Sequence, residues 1–126
     1  MKGSAVLILD DKDRLLILKR SMNSYWMPGK WGLPGGKVES AENSSGAAVR
    51  ETKEETDLNL ELSDMVYLKE LSNKVVDIFY ASNYTGEVRL DFEHDDYEWV
   101  TREDIDYYDT TPDLAEAFDW ILENER

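Results

Sequence analysis

Residues 31–58, WGLPGGKVESAENSSGAAVRETKEETDL, constrain the fold more than any other stretch of the chain. Pro34-Gly35-Gly36 interrupts regular structure, and the segment from Ser44 to Thr56 then reads as a helix. Ala47, Ala48, Val49 and Thr52 give that helix a small packed face. Asn43 is placed to cap it by accepting from the orphan amides of the first turn, and it is expected to stop near Asp57. Residues three and four apart are neighbours on a helix, so Glu51 sits beside both Glu54 and Glu55. Like charges at that spacing cost roughly 0.2–0.5 kcal/mol per pair at an exposed site. The chain already carries 28 acidic against 14 basic residues, a formal net charge of −14, so this crowding calls for a reason.

A lone E-x-x-E-E run is most simply a solvated face. Three neighbours shift that reading. The glycine turn upstream can bring backbone carbonyls and amides close to a ligand. Glu42 adds a fourth carboxylate near the same end. Arg50 adjoins Glu51, reaches Glu54 at i+4 or Glu42 in space, and can orient a carboxylate. Clustered carboxylates with a carbonyl oxygen form a hard, oxygen-only donor set that suits Mg²⁺ or Mn²⁺ rather than zinc. Such an ion would also reconcile an acidic protein with an anionic, phosphorylated substrate.

The rest of the chain reads as strands around this unit. Gly3–Leu9 and Arg14–Lys19 are short apolar runs joined by an acidic turn, and Ser21–Lys30 is a loop. Glu61–Leu71 and Lys74–Ala81 read as further strands, the second central and covered on both faces. Tyr84-Thr85-Gly86 is a turn, and Glu87–Leu90 and Tyr97–Val100 are short strands. Thr111-Pro112 opens a terminal helix with Leu114, Ala117, Phe118, Ile121 and Leu122 at helical spacing. Strands interrupted by one helix and closed by another imply an α/β (α+β) sandwich around a mixed sheet. The 126 residues are expected to form one domain, 1–126.

Composition excludes several classes of function. With no basic block, a nucleic-acid polymer is not an expected partner. Cysteine is absent, which removes disulfides, thiolate metal sites and a cysteine nucleophile. The N-terminal apolar run, Ala5 to Leu9, is too short for a signal-peptide core or a membrane span, so a cytoplasmic protein without a membrane partner is expected.

Gly36, five residues, Glu42, seven residues, and then Arg50-Glu51-Thr52-Lys53-Glu54-Glu55-Thr56-Asp57-Leu58 closely resemble the Nudix box, G-x5-E-x7-R-E-U-x-E-E-x-G-U, in which U is bulky and apolar. Every charged position falls at its required spacing. The strand pair at the N-terminus, the Trp-Gly-Leu-Pro-Gly-Gly-Lys approach, the late Tyr-Glu-Trp-Val strand and the closing helix extend the resemblance over nearly the whole chain. Two positions depart from the pattern. Asp57 stands where the box has glycine, at a position that usually ends the helix left-handed, and Asp tolerates that conformation better than most residues. Thr52 stands where the box has a bulky apolar residue.

The resemblance to Nudix (MutT-like) hydrolases implies a Nudix-type α/β/α sandwich and a divalent-metal-dependent pyrophosphohydrolase. Its substrate would be a nucleoside diphosphate linked to another moiety or a (d)NTP, cut by water attack on a phosphorus to release a nucleoside monophosphate. It implies Glu51, Glu54 and Glu55 as metal ligands, a carbonyl of Gly35 or Gly36 assisting, Glu42 as a further metal-shell or orienting carboxylate, and Arg50 as the group that holds Glu51. The cofactor would be Mg²⁺, with Mn²⁺ able to substitute. The general base is a box glutamate or a late-loop acid, for which Asp95, Asp96 and Glu98 compete. His94, the single histidine, reads as a solvated loop residue. For the substrate, Arg20 and Lys37 are candidate phosphate contacts. Trp26 and Trp31 are candidates for stacking on a base, with core packing an equal reading for Trp31. A homodimer and a monomer both stay open. Competing readings are a nucleotide-sensing module without turnover and an acidic protein-interaction domain. The intact glutamates disfavour the first, and the second leaves the box spacing unexplained.

Overall fold

The computed structural model describes residues 2–126. Seven strands and two helices follow in the order β1 (Gly3–Ile8), β2 (Leu15–Arg20), β3 (Trp31–Gly32), β4 (Gly35–Lys37), α1 (Ser44–Thr56), β5 (Val66–Tyr67), β6 (Val76–Ala81), β7 (His94–Val100) and α2 (Leu114–Asn124). They form a mixed four-stranded sheet in the order β4-β1-β6-β5 and an antiparallel three-stranded sheet in the order β3-β2-β7. In the first sheet β1 and β6 run parallel, Gly3 opposite Val76 through Ile8 opposite Ala81.

The apolar runs of β1 and β2 are continuous because both their faces are covered. Val6, Ile8, Leu16 and Leu18 pack with Ala48 of α1 and with Phe79. Leu7, Leu9, Leu15 and Ile17 pack on the other side with Phe118 and Ile121 of α2. The result is a layered α+β domain with one helix on each side of the strands. β6 lies between β1 and β5, as a central strand should, but only Phe79, Tyr80 and Ala81 are buried; Val76, Asp77 and Ile78 are half-buried. Strands β1 and β2 are the fully covered ones.

Local signals place α1 as expected. The Asn43 side chain accepts from the Gly46 amide at 2.8 Å. At the other end Asp57 adopts φ 64°, ψ 10°, and its amide donates to the Lys53 carbonyl. Asp57 therefore fills the left-handed cap that glycine usually fills.

Three further expectations change. The segment Glu61–Leu71 holds a single 3-10 turn, Leu62–Asp64, and only the two-residue β5, because the chain turns again at Lys69–Leu71. Residues Glu87–Leu90 form no strand. The Arg89 amide donates to the Thr56 carbonyl at 2.8 Å and the Asp91 amide to the Glu55 carbonyl at 3.3 Å, so this loop satisfies the open carbonyls at the end of α1. Finally, β7 begins at His94 rather than Tyr97. An irregularity between Lys19 and Arg20 lets Arg20 pair with His94, and the charged run Asp95-Asp96 is tolerated because β7 is an edge strand.

Candidate active site

The site grows from the packing of the glycine turn against α1. Gly36 lies opposite Ser4 on β1 and faces the helix. A Cβ built on Gly36 would sit 2.6 Å from the Glu51 carboxyl carbon, so this residue has to be glycine for the Glu51 side chain to occupy its place. Gly35, at φ 158°, would drive a Cβ to 2.1 Å from the Ser4 carbonyl oxygen. The Gly35 amide donates to Glu55 Oε1 at 2.9 Å.

Glu55 is the unusual carboxylate. It is only 5% exposed in a chain whose other acids are mostly solvated. Burial drives its pKa up to about 9; the Gly35 amide opposes this, and the charges of Glu51, Asp91 and Glu93 reinforce it. Glu51 is also raised, chiefly by burial, with Arg50 opposing and Glu54 and Glu93 adding repulsion. Two acids held above their ordinary range on one helix, beside a glycine turn, form a site that favours a cation.

Arg50 organises the remaining charge. Its guanidinium donates to Glu42 Oε1 at 2.7 Å, to Glu51 Oε1 at 2.8 Å, to Glu54 Oε2 at 3.1 Å and to the Lys37 carbonyl at 3.0 Å. The hydrogen bonds to Glu42 hold that carboxyl below its usual range. In this arrangement Glu54 turns toward Arg50. Among the described residues, no three His, Asp or Glu side chains converge as a ready metal cage.

A cleft of about 420 Å³ opens beside the glycine turn, lined by Gly35 and Gly36 together with Arg20, Trp26, Ile78 and His94, among others. Arg20 Nε donates to the Trp26 carbonyl at 2.8 Å, and its guanidinium stands 4.9 Å from the centre of the Trp26 ring. Trp31 and Lys37 are not in the cleft lining. Trp31 packs edge-on against Tyr108 with ring centres 5.1 Å apart, at the α2 side of the core, and Lys37 is exposed.

Of the late acids, Glu98 pairs with Ile17 and faces the α2 side, where its charge acts on Tyr108. Asp95 and Asp96 are exposed on the same edge strand. The late acids whose charge reaches Glu51 or Glu55 are Glu93, which opens the acidic run before Trp99, and Asp91, which the sequence pattern does not mark. His94 departs from its expected setting. It is 7% exposed, and its Nδ1 lies 2.9 Å from Asp91 Oδ1. The sequence offered one signal, since His94 directly follows the turn-forming Asp91-Phe92-Glu93 and directly precedes the acidic pair Asp95-Asp96.

Fold and site together define a class: a mixed α+β domain in which a glycine turn and an acidic helix share one end of the sheet. A family model described as the NUDIX domain matches residues 1–121, and the chain belongs to that family. A Bacillus subtilis (strain 168) protein named "Putative 8-oxo-dGTP diphosphatase" is 33% identical over 92 residues, covering 71% of this chain; the chain spans 58% of that relative's length. Nucleoside triphosphatase NudI of Escherichia coli O139:H28 (strain E24377A / ETEC) is 28% identical over 117 residues, covering 81% of this chain and 83% of the relative. The crystal structure of a MutT protein from Methanosarcina mazei Go1 superposes with a TM-score of 0.77 at 33% identity, covering 100% of this chain and 96% of that one. The chain is accordingly an enzyme of the Nudix class, hydrolases acting on phosphoric anhydrides. Among the described residues, no helix is long and apolar enough to cross a membrane.

Proposed function

We propose that the chain, as a single Nudix domain over residues 1–126, hydrolyses a nucleoside triphosphate, (d)NTP, to a nucleoside monophosphate and pyrophosphate in a divalent-metal-dependent reaction. The observation that carries this reading is the buried Glu55 beside Glu51 against the Gly35-Gly36 turn, at the edge of the cleft. A buried carboxyl with a strongly raised pKa is unfavourable when ionised unless a cation accompanies it. The relatives named for nucleoside triphosphates favour that substrate over a sugar nucleotide or another nucleoside diphosphate linked to a second moiety.

The donor set fits Mg²⁺ in its chemistry: carboxylates of Glu51, Glu54 and Glu55, a carbonyl of the glycine turn, and Glu42 close by, all oxygen. Glu54 has to leave Arg50 to join it, and Arg50 can release it because Glu42 and Glu51 retain the guanidinium. A divalent ion bound here would neutralise phosphate charge and lower the pKa of an attacking water.

The chain's own residues do the rest. Gly35 fixes Glu55 through its amide, and Arg50 fixes Glu51. Glu54, more than half exposed at its side chain, is the box carboxylate whose second oxygen can take a proton from water once it has left Arg50. We infer that the base is on α1 and not Glu98, which faces the other side of the strands. Arg20 offers its terminal guanidinium nitrogens to phosphate, and Trp26 gives the base an aromatic face.

The test is incubation with Mg²⁺ and a panel of nucleoside triphosphates, sugar nucleotides and dinucleotides, with release of monophosphate as the readout. Turnover of triphosphates that is lost in Glu54→Gln and Glu55→Gln supports the reading. Preferred turnover of a sugar nucleotide would overturn the substrate, and normal activity in both variants would overturn the site.

A further inference from the structure

The cleft beside the glycine turn has an unusual charge for this chain. Among the described residues that line it, the ionisable side chains are Arg20 and His94, and no carboxylate lines it. In a protein of net charge −14, a cleft whose only ionisable walls are basic is built for an anion. The two residues are also neighbours by construction, since Arg20 on β2 and His94 on β7 are cross-strand partners.

Each has one side committed and another free. Arg20 gives its Nε to the Trp26 carbonyl at 2.8 Å, which leaves both terminal nitrogens available. His94 is held at Nδ1 by Asp91 Oδ1 at 2.9 Å, with the imidazole 4% and the carboxylate 15% exposed. Its Nε2 has no protein partner among the described residues. A carboxylate that accepts from Nδ1–H fixes the ring's orientation, and an imidazolium so held donates from Nε2 as well. Asp91 is itself anchored, because its amide donates to the Glu55 carbonyl.

We propose that His94 Nε2 and the terminal guanidinium nitrogens of Arg20 form a two-point phosphate subsite, with Asp91 as the positioning residue for His94. The proposal rests on the triphosphate reading above and deepens it: the metal end of the site at Glu51 and Glu55 takes one phosphate, and the Arg20–His94 pair takes a neighbouring one. With one phosphate at the metal end and another on the Arg20–His94 pair, the subsite favours chains of two or more phosphates over a single phosphate.

The single histidine makes a direct test available, because every imidazole signal in a ¹⁵N NMR spectrum belongs to His94. Wild-type protein with Mg²⁺ is titrated with inorganic pyrophosphate and, separately, with inorganic phosphate. The expected result is a shift of the Nε2 signal with pyrophosphate, with little response to phosphate at the same concentration. Pyrophosphate binding, seen by calorimetry, that leaves the imidazole unmoved overturns the proposal. In kinetics, His94→Gln is expected to raise the KM for a triphosphate by roughly tenfold, the scale of one charge-assisted hydrogen bond, with kcat nearly unchanged. Asp91→Asn should move KM in the same direction by less, and should move the Nε2 signal of His94 even without ligand. An unchanged KM in His94→Gln, or a loss confined to kcat, refutes the subsite. If His94→Gln does not fold, the wild-type titration and Asp91→Asn decide the matter. A protein that turns over no triphosphate yet shows the pyrophosphate shift refutes the functional reading and leaves the subsite standing.

Discussion

Replacing Glu55 by Gln tests the electrostatic core of the site without disturbing its shape. Gln keeps an acceptor for the Gly35 amide, which donates at 2.9 Å, and removes the ionisable group. The folded-state pKa of Glu55 is raised from 4.5 to about 9, so the folded protein holds this proton more tightly than the unfolded chain does. Stability from that difference is fully present below about pH 4.5 and is lost as pH rises toward 9. Each unit is worth about 1.4 kcal/mol, so at pH 8 the metal-free wild type is penalised by at most roughly 5 kcal/mol, and at pH 5 by under about 1 kcal/mol. Glu51, shifted in the same direction, adds to the trend. Urea unfolding in EDTA at both pH values reads this out. Glu55→Gln should be more stable than wild type at pH 8, by several kcal/mol, and nearly equal at pH 5. Excess Mg²⁺ should stabilise the wild type at pH 8 by mass action and leave the variant almost unmoved. A variant that is equal to or weaker than wild type at pH 8 without metal would refute the view that a buried, cation-seeking carboxyl sits at position 55.

Three further outcomes follow from particular contacts. Thr52 is fully buried with an unpartnered hydroxyl, so Thr52→Val, nearly the same shape, should raise stability by about 1 kcal/mol in thermal unfolding. Asp57 sits at φ 64° and pairs with Lys53 at 2.9 Å. Asp57→Ala should cost about 1 kcal/mol or more through the left-handed backbone, whereas Asp57→Gly should stay within roughly 0.5 kcal/mol of wild type. Gly36→Ala places a Cβ 2.6 Å from the Glu51 carboxyl carbon, so it should displace that side chain and abolish Mg²⁺-dependent turnover while circular dichroism and Tm change little.

The helix and its ends were legible in the sequence because their causes are local. Asn43 caps three residues ahead, Asp57 closes left-handed, and the Glu51–Glu54–Glu55 spacing needs only helical geometry. What escaped depends on contacts distant in sequence. β3 and β4 are two and three residues long and contain or adjoin Gly and Pro, so only their pairing with β2 and β1 makes them strands. The segment 87–90 looked like a strand by composition, yet the Arg89 amide goes to the last turn of α1. His94 looked solvated because Glu93, Asp95 and Asp96 surround it in sequence. The bulge opposite Lys19 and Arg20 turns it inward, and Asp91 then holds it. Trp31 was open between cleft and core, and packing against Tyr108 places it in the core.

The most direct test of the cation site is steady-state hydrolysis of a nucleoside triphosphate by wild type and Glu51→Gln, each with Mg²⁺ and with EDTA. If Glu51, Glu54 and Glu55 hold a catalytic divalent ion, wild type releases monophosphate and pyrophosphate with Mg²⁺ and neither product in EDTA, and Glu51→Gln loses at least about a hundredfold in kcat/KM, the scale of a lost catalytic group. Undiminished turnover in EDTA, or full activity in Glu51→Gln with Mg²⁺, would contradict it.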